Sequence, residues 1–381
     1  MSTTSDASSS SLNPFLLVMV VVAVGGVIFA LNRASIWYAP AILAAAVVGM
    51  VALAVRHARE KKLDRQQASR VNYSRLASMS LAPSVSWLKA NVRGHDPVIE
   101  AVVSEIDRNL RLARQGRTLG AFLLVGPTGT GKTFLGHLIA EALYPSTAPV
   151  VLRMNTYKHP DDVFTLIGPP AGREGYQLGG TLTRPVLEHP HRVIILDELE
   201  KAHRDLHHCL YDILDTATCR EKSSGKLVDF SGCVFLATCN AGVDAIRAIH
   251  RHTPDAVVRL TRSRDALADV GGFDKAFLAR WNGLFFMDQL APLHVAEVTC
   301  LELAKQWRDY GIDLQYASPQ LILEAVQRNE DFKSYGVREL GAYIKSKTSY
   351  AIIEAREKGI PKVWLGVAPD GSLKFTEKPA P

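Results

Sequence analysis

A chain of 381 residues with 47% hydrophobic and 22% charged content is long enough for two or three domains at about 150 residues each, and too apolar to be largely disordered. Its five cysteines form an odd set without a CxxC pair, which excludes a disulfide framework or zinc ribbon and fits a reducing compartment. The formal net charge is +6, and six Lys/Arg minus Glu60 and Asp64 place +4 of it in residues 56–70, leaving +2 elsewhere and no basis for a nucleic-acid footprint on the folded part.

In chain order, residues 1–13 are Ser-rich and predicted to be a disordered tail. Phe15 to Leu31 and Ile36 to Val55 are two uncharged apolar runs, each close to the ~20 residues that cross a bilayer, and they predict a transmembrane hairpin over residues 14–55. A cleaved signal peptide fits less well, since nothing before Phe15 is basic and there are two runs instead of one. Arg56, Arg59, Lys61, Lys62, Arg65 and Arg70 crowd the exit of the second run, so the charge rule predicts a multi-pass protein of the inner cell membrane with both termini cytoplasmic. Residues 56–85 read as a charged linker.

From residue 86 to 288 short apolar runs alternate with amphipathic stretches, the pattern of an α/β domain whose parallel sheet is covered by helices on both faces. Strands are predicted at Ala121 to Val125, Val150 to Met154, Arg192 to Leu196 and Cys233 to Thr238, with helices at Thr133 to Leu143 and about Arg204 to Thr216. After Pro292 the strands are expected to stop, giving a helical subdomain over 289–361. The C-terminal residues 362–381 predict a hairpin and tail, with Asp370-Gly371 as its turn.

Chemistry concentrates in two places. Gly126-Pro127-Thr128-Gly129-Thr130-Gly131-Lys132-Thr133 follows one predicted strand and opens a helix. Glycines there let backbone N–H groups turn inward around phosphate oxygens, Lys132 reaches the β- and γ-phosphates, and the Thr133 hydroxyl is suited to Mg²⁺. The run Val193-Ile194-Ile195-Leu196-Asp197-Glu198 ends a strand in two acids at the edge where nucleotide meets an α/β sheet, with Asp197 suited to the Mg²⁺ shell and Glu198 to activating water. ATP with Mg²⁺ is the predicted ligand. His207-His208-Cys209 points to no metal, because consecutive helical residues diverge and no fourth ligand is spaced to join them.

With these motifs in order, the stretch from about Val92 to Phe375 resembles the Clp/Hsp100 AAA+ ATPases, specifically the second ATPase module of ClpA- and ClpB-type unfoldases. Asp197-Glu198-Leu199-Glu200-Lys201-Ala202-His203 is similar to the family's extended acidic motif, and Leu236-Ala237-Thr238-Cys239-Asn240 to its sensor-1 strand. The resemblance implies that Asn240 positions water, that Arg280 in Phe277-Leu278-Ala279-Arg280 is an arginine finger, and that Arg338 in Tyr335-Gly336-Val337-Arg338 is the sensor-2 residue of a helical lid. It also implies that Val92 and Arg93 lie against adenine, and that the active form is a homo-oligomeric ring, a hexamer by analogy. A finger supplied in trans is worth ~10³ to 10⁵ in rate, so isolated copies are expected to turn over slowly.

The chain departs from that family in its loops. Where Clp unfoldases carry an aromatic pore residue, this chain has Arg173 followed by Glu174, with Tyr176 two positions on, which implies electrostatic contact with a partner. No Ile-Gly-Phe or Ile-Gly-Leu tripeptide appears between Ala241 and Phe273, so a ClpP-type peptidase partner is not indicated. The combined expectation is a membrane-anchored ATPase that remodels or unfolds a protein partner at the cytoplasmic membrane face; the alternative is an ATP-switched scaffold of a secretion or conjugation machine that does not thread polypeptide. Nucleic acid is not an expected partner, because no basic, aromatic-interleaved face is present.

Overall fold

Side chains alternate between the two faces of a strand, so a strand that is apolar at every position must be covered on both sides. The computed structural model, which describes residues 81–112, 116–170, 172–173, 175–331, 337–368 and 371–377, meets that requirement. Two helices, α1 (Ala82–Asn91) and α2 (Asp96–Leu112), precede β1 (Gly120–Val125), α3 (Lys132–Leu143) and β2 (Val150–Arg153). Next come α4 (Val163–Ile167), α5 (Thr183–Glu188), β3 (Arg192–Asp197), α6 (Arg204–Thr216), and the antiparallel pair β4 (Thr218–Arg220) and β5 (Leu227–Asp229). The first subdomain closes with β6 (Cys233–Cys239), α7 (Val243–His252), α8 (Ala256–Gly271), α9 (Lys275–Leu278) and β7 (Gly283–Phe286).

These strands make a five-stranded, all-parallel sheet in the order β2-β3-β6-β1-β7. Phe122, Leu124, Val193, Ile195, Val234 and Leu236 form one apolar layer with Leu88 of α1, Ile99 and Ile106 of α2, and Leu135 and Ile139 of α3. The alternate residues Ala121, Leu123, Ile194, Leu196 and Phe235 face the other way, onto Leu206, Leu210 and Ile213 of α6, Ile246 of α7 and Phe277 of α9. Each fully buried side chain of this size contributes about 1.5 to 3 kcal/mol of transfer free energy. The rigid sheet that results fixes the loops at its carboxyl edge, where β1, β3 and β6 end side by side. The strand β7 has no counterpart in the sequence reading, since four residues beginning with glycine carry little periodic signal.

The second subdomain contains α10 (Pro292–Asp309), β8 (Asp313–Ala317), α11 (Pro319–Asp331), α12 (Val337–Glu357), β9 (Lys362–Val367) and β10 (Leu373–Thr376). Its core gathers around Trp307, with Leu303, Leu321, Ile344, Ile352 and Val363. The expectation that strands stop after Pro292 is corrected here. The strand β8 pairs in parallel with β9, which pairs antiparallel with β10. It is half exposed and its partner lies some 50 residues downstream, so no local pattern announces it.

The expectation of a multi-pass membrane protein is also corrected: among the described residues, no helix is long and apolar enough to cross a membrane. The long helix α12 shows why, with Glu339, Lys345, Lys347, Glu354 and Arg356 distributed along it. The apolar runs 15–31 and 36–55 and the basic cluster 56–70 lie outside the described residues, as do Glu174, Tyr335, Gly336 and Asp370.

Candidate active site

The loop 126–131 joins the carboxyl end of β1 to the first turn of α3. It is pinned at its start by the Gly126 N–H, which donates to the Cys239 carbonyl at 3.1 Å. Only glycine fits there, since a Cβ on Gly126 would lie 2.0 Å from the carbonyl oxygen of Met287. Gly131 turns the chain into α3 with a φ of 89°, a left-handed conformation that glycine adopts without strain. The unpaired N–H groups and positive dipole end of α3 are thereby aimed at the loop's interior.

Lys132 is buried, and its Nζ donates to the carbonyls of Gly126 at 2.7 Å and Pro127 at 2.6 Å. Burial pushes the ammonium down to about 8, while Cys239, Glu200, Asp197 and Glu198 pull it back up. A cation so desolvated gains from an anion placed beside it. The residue after it, Thr133, donates its hydroxyl to Asp197 Oδ1 at 2.7 Å. From the other side Thr238 of β6 donates to the same oxygen, also at 2.7 Å. One carboxylate oxygen thus ties the phosphate loop, β3 and β6 together.

Glu198 follows directly and adopts φ 59°, a left-handed conformation uncommon outside glycine. Its backbone N–H donates to Thr238 Oγ1 at 2.9 Å. Its carboxylate Oε2 accepts from Asn155 Nδ2 at 3.0 Å and pairs with Lys201 Nζ at 3.1 Å. Asn155 lies in the single turn Met154–Thr156 after β2, so three adjacent strands converge on the acid pair. Asn240 sits at the end of β6, where its backbone N–H donates to Glu200 Oε1 at 3.1 Å.

On the loop's far side, His95 Nε2 lies 3.1 Å from the Thr130 carbonyl. Burial, with His294 and Lys132 adding to it, pushes the imidazole down to about 4 against the opposing pull of the Thr130 bond and Asp288. The ring is therefore neutral at pH 7 and donates from Nε2. Val92 is buried, and Arg93 reaches Glu297 of α10 at 4.0 Å, so this segment bridges the two subdomains beside the loop. Arg338 is the second residue of α12.

The structure does not bring Arg280 to the phosphate loop. Its guanidinium lies 4.1 Å from the Tyr211 ring centroid, its Nε is 3.5 Å from Asp215, and its Nη1 donates to the Ala276 carbonyl at 3.2 Å. Arg173 folds back over the Phe164 ring at 4.7 Å and sits 3.9 Å from Asp161. Further along that loop Tyr176 and Leu178 are exposed, Leu178 at 73%, and Arg184 holds their turn by donating to the Gln177 and Leu178 carbonyls at 3.0 and 2.8 Å.

The sequence reading gave no individual role to Thr238, Asn155, Lys201 or His95. Only Thr238 carried a usable signal, as a hydroxyl in a strand otherwise apolar and wholly buried, where a polar group must find a partner.

The donor set fits ATP and a divalent cation. A hydroxyl and a carboxylate oxygen supply hard ligands, and the loop supplies N–H groups and an ammonium for phosphate. Among the described residues no group of three or more His, Cys, Asp or Glu could hold a metal, so one carboxylate and one hydroxyl would share a cation with phosphate oxygens. Fold and site together define the class: a nucleotide-binding α/β domain built on a phosphate loop. Residues 117–282 match the AAA domain (Cdc48 subfamily). The chaperone protein ClpB of Lactococcus lactis subsp. cremoris is 42% identical over 273 residues, covering 68% of this chain and 30% of the relative. The ATP-dependent Clp protease ATP-binding subunit ClpE of Lactococcus lactis subsp. lactis is 32% identical over 219 residues, 57% of this chain and 29% of the relative. The ClpB of Clostridium tetani is 29% identical over 281 residues, 71% and 31%. The chain spans under a third of the length of these curated relatives. It carries an AAA domain and is homologous, over that part of its length, to the ClpB and ClpE ATPases.

His95 makes stability depend on pH. Its folded value of about 4 lies below the unfolded 6.5, so the unfolded chain binds the extra proton between those values. Stability is then full above pH 6.5 and is lost as pH falls toward 4, about 2 kcal/mol of it between pH 7 and pH 5. Urea titrations at the two pH values should show a drop in wild type that is smaller by that amount in His95→Gln. An equal drop in both would remove His95 as its source.

Proposed function

We propose that this chain hydrolyses ATP at sites shared between copies in a closed ring, and couples hydrolysis to remodelling of a protein partner. The observation that carries the reading is the joining of Thr133, Asp197, Glu198 and Thr238 beside a phosphate loop. In this reading Lys132 leaves the loop carbonyls for the β- and γ-phosphate oxygens, and loop N–H groups and the α3 N-terminus hold the rest of the chain of phosphates. Asp197 and Thr133 would hold Mg²⁺, which when bound neutralises phosphate charge. Glu198 takes the proton of the attacking water. To do so its carboxylate must exchange at least one of its present partners, Asn155 and Lys201. Asn240 and Arg338 are proposed, by resemblance, to orient water and report the γ-phosphate from the lid, with Val92 and Arg93 beside the base.

The sheet supports shared sites. The strand β7 lies parallel to β1, with Gly283 opposite Phe122, so Arg280 stands at the amino edge while the phosphate loop stands at the carboxyl edge. Six residues of β1 at ~3.3 Å each separate those edges by about 20 Å, well beyond the reach of an arginine. In this reading Arg280 neutralises transition-state charge on the nucleotide of another copy, through a head-to-tail contact of the kind that makes a ring when its rotation closes. Protein remodelling is supported by the ClpB and ClpE relatives and by exposed Tyr176 and Leu178, which offer an apolar grip where Arg173 is already engaged.

Two experiments test this. Glu198→Gln should bind ATP with wild-type affinity and lose turnover by about 100-fold or more, whereas Lys132→Ala should lose binding as well; wild-type turnover in Glu198→Gln would reject the assignment of the base. Turnover per subunit should fall as the protein is diluted through its assembly concentration, and Arg280→Ala should reproduce the slow limit at high concentration with nucleotide affinity intact. A rate per subunit independent of concentration would reject shared sites.

A further inference from the structure

A second basic side chain stands beside Arg280. Arg280 lines a cavity of about 310 Å³ at the amino edge of the sheet, together with Arg108, Arg117, Asn109, Asn282 and Glu105. Its position has a simple origin: Arg117 stands three residues before β1 and Arg280 three residues before β7, and the two strands are neighbours in register. The two strand starts are locked to each other. Asn282 N–H donates to the Ala121 carbonyl at 2.7 Å and Asn282 Oδ1 accepts from the Ala121 N–H at 2.8 Å, while Asn109 Nδ2 donates to the Leu119 carbonyl at 2.9 Å.

The charges in the cavity do not cancel. Arg108 is paired with Glu105 one turn away on its own helix, and Arg280 has Asp215 at 3.5 Å. Arg117 is exposed and has no ion-pair partner among the described residues. Two guanidinium groups held on one rigid frame, one of them uncompensated, are arranged for an anion with several oxygens, because each planar fork can donate two parallel N–H bonds to such a group.

We infer that this cavity receives the phosphate chain of the nucleotide bound to a neighbouring copy, and that Arg117 is a second catalytic cation acting in trans beside Arg280. This rests on the shared-site reading above. The phosphate loop lies at the opposite edge of the sheet, so a head-to-tail neighbour brings its loop to this edge and to no other part of the sheet. Arg280 and Arg117 then approach the same phosphates from two adjacent strand starts, and charge that builds on the γ-phosphoryl oxygens is met by two fixed donors instead of one.

The test uses the full chain with ATP at concentrations where wild type is assembled, and compares Arg117→Ala, Arg117→Lys and Arg280→Ala. Sedimentation reports assembly, a fluorescent ATP analogue reports affinity, and phosphate release reports kcat. Arg117→Ala should assemble and bind nucleotide as wild type does while kcat falls about 10- to 100-fold, the scale of losing one preorganised donor, and Arg117→Lys should recover part of the loss. Mixing Arg117→Ala with Glu198→Gln provides a readout that a structural role would not move. The Glu198→Gln copies lend intact arginines to competent sites, so the mixture should turn over faster than the sum of its separate components. Unchanged kcat in Arg117→Ala, with kcat lowered in Arg280→Ala, would overturn the role of Arg117 alone. Failure of Arg117→Ala to assemble would make it an interface strut and overturn its assignment to phosphate, as would a mixture with no gain. Unchanged kcat in both alanine variants would instead remove the shared-site reading beneath it.

Discussion

A single carboxylate oxygen organises the nucleotide edge of this protein. Asp197 Oδ1 accepts hydroxyl bonds from Thr133 and Thr238, each at 2.7 Å, and so joins the first turn of α3, the end of β3 and the end of β6. Both hydroxyls reach it only because the parallel register brings β1, β3 and β6 to a common edge. Thr238 then accepts the backbone N–H of Glu198, and that bond supports a left-handed conformation the residue would otherwise leave. The conformation swings the Glu198 carboxylate toward Asn155 and Lys201. A chain of short contacts thus runs from the phosphate loop to Glu198, the proposed general base.

The same sheet that gathers these groups keeps Arg280 away from them. In a parallel sheet every strand start lies at one edge and every strand end at the other, so a residue just before β7 and a loop just after β1 cannot meet within one copy. If Arg280 serves a nucleotide, as proposed, that nucleotide is bound to another copy. Within one copy Arg280 rests against Tyr211 and Asp215 of α6, the helix that follows the acidic motif.

Much of this was legible in the sequence, for identifiable reasons. Strands buried on both faces are continuous apolar runs, which is why β1, β3 and β6 could be read to within a residue or two of their ends. The phosphate loop and acid pair were legible because glycine, lysine and consecutive acids in those positions have few other uses. What stayed hidden depends on distance in the chain. Asn155 meets Glu198 across 43 positions, His95 meets Thr130 across 35, and β8 finds its partner only after α12. Arg173 read as a contact for a charged partner because its neighbours, Phe164 of α4 and Asp161 of the turn before it, are brought to it by the fold and by no local pattern. The apolar runs near the N-terminus have a strong hydropathy pattern, but they lie outside the described residues and no described helix is a span.

The most direct measurement of the central role given to the Asp197 contacts is the behaviour of Thr238→Val, which keeps the shape of a fully buried side chain and removes only its hydroxyl. ATP affinity without Mg²⁺ should stay at the wild-type level, because the loop and Lys132 are untouched, while turnover with Mg²⁺ should fall by about 10-fold or more as Asp197 and Glu198 lose their common anchor. Wild-type turnover in a folded Thr238→Val protein would contradict the account.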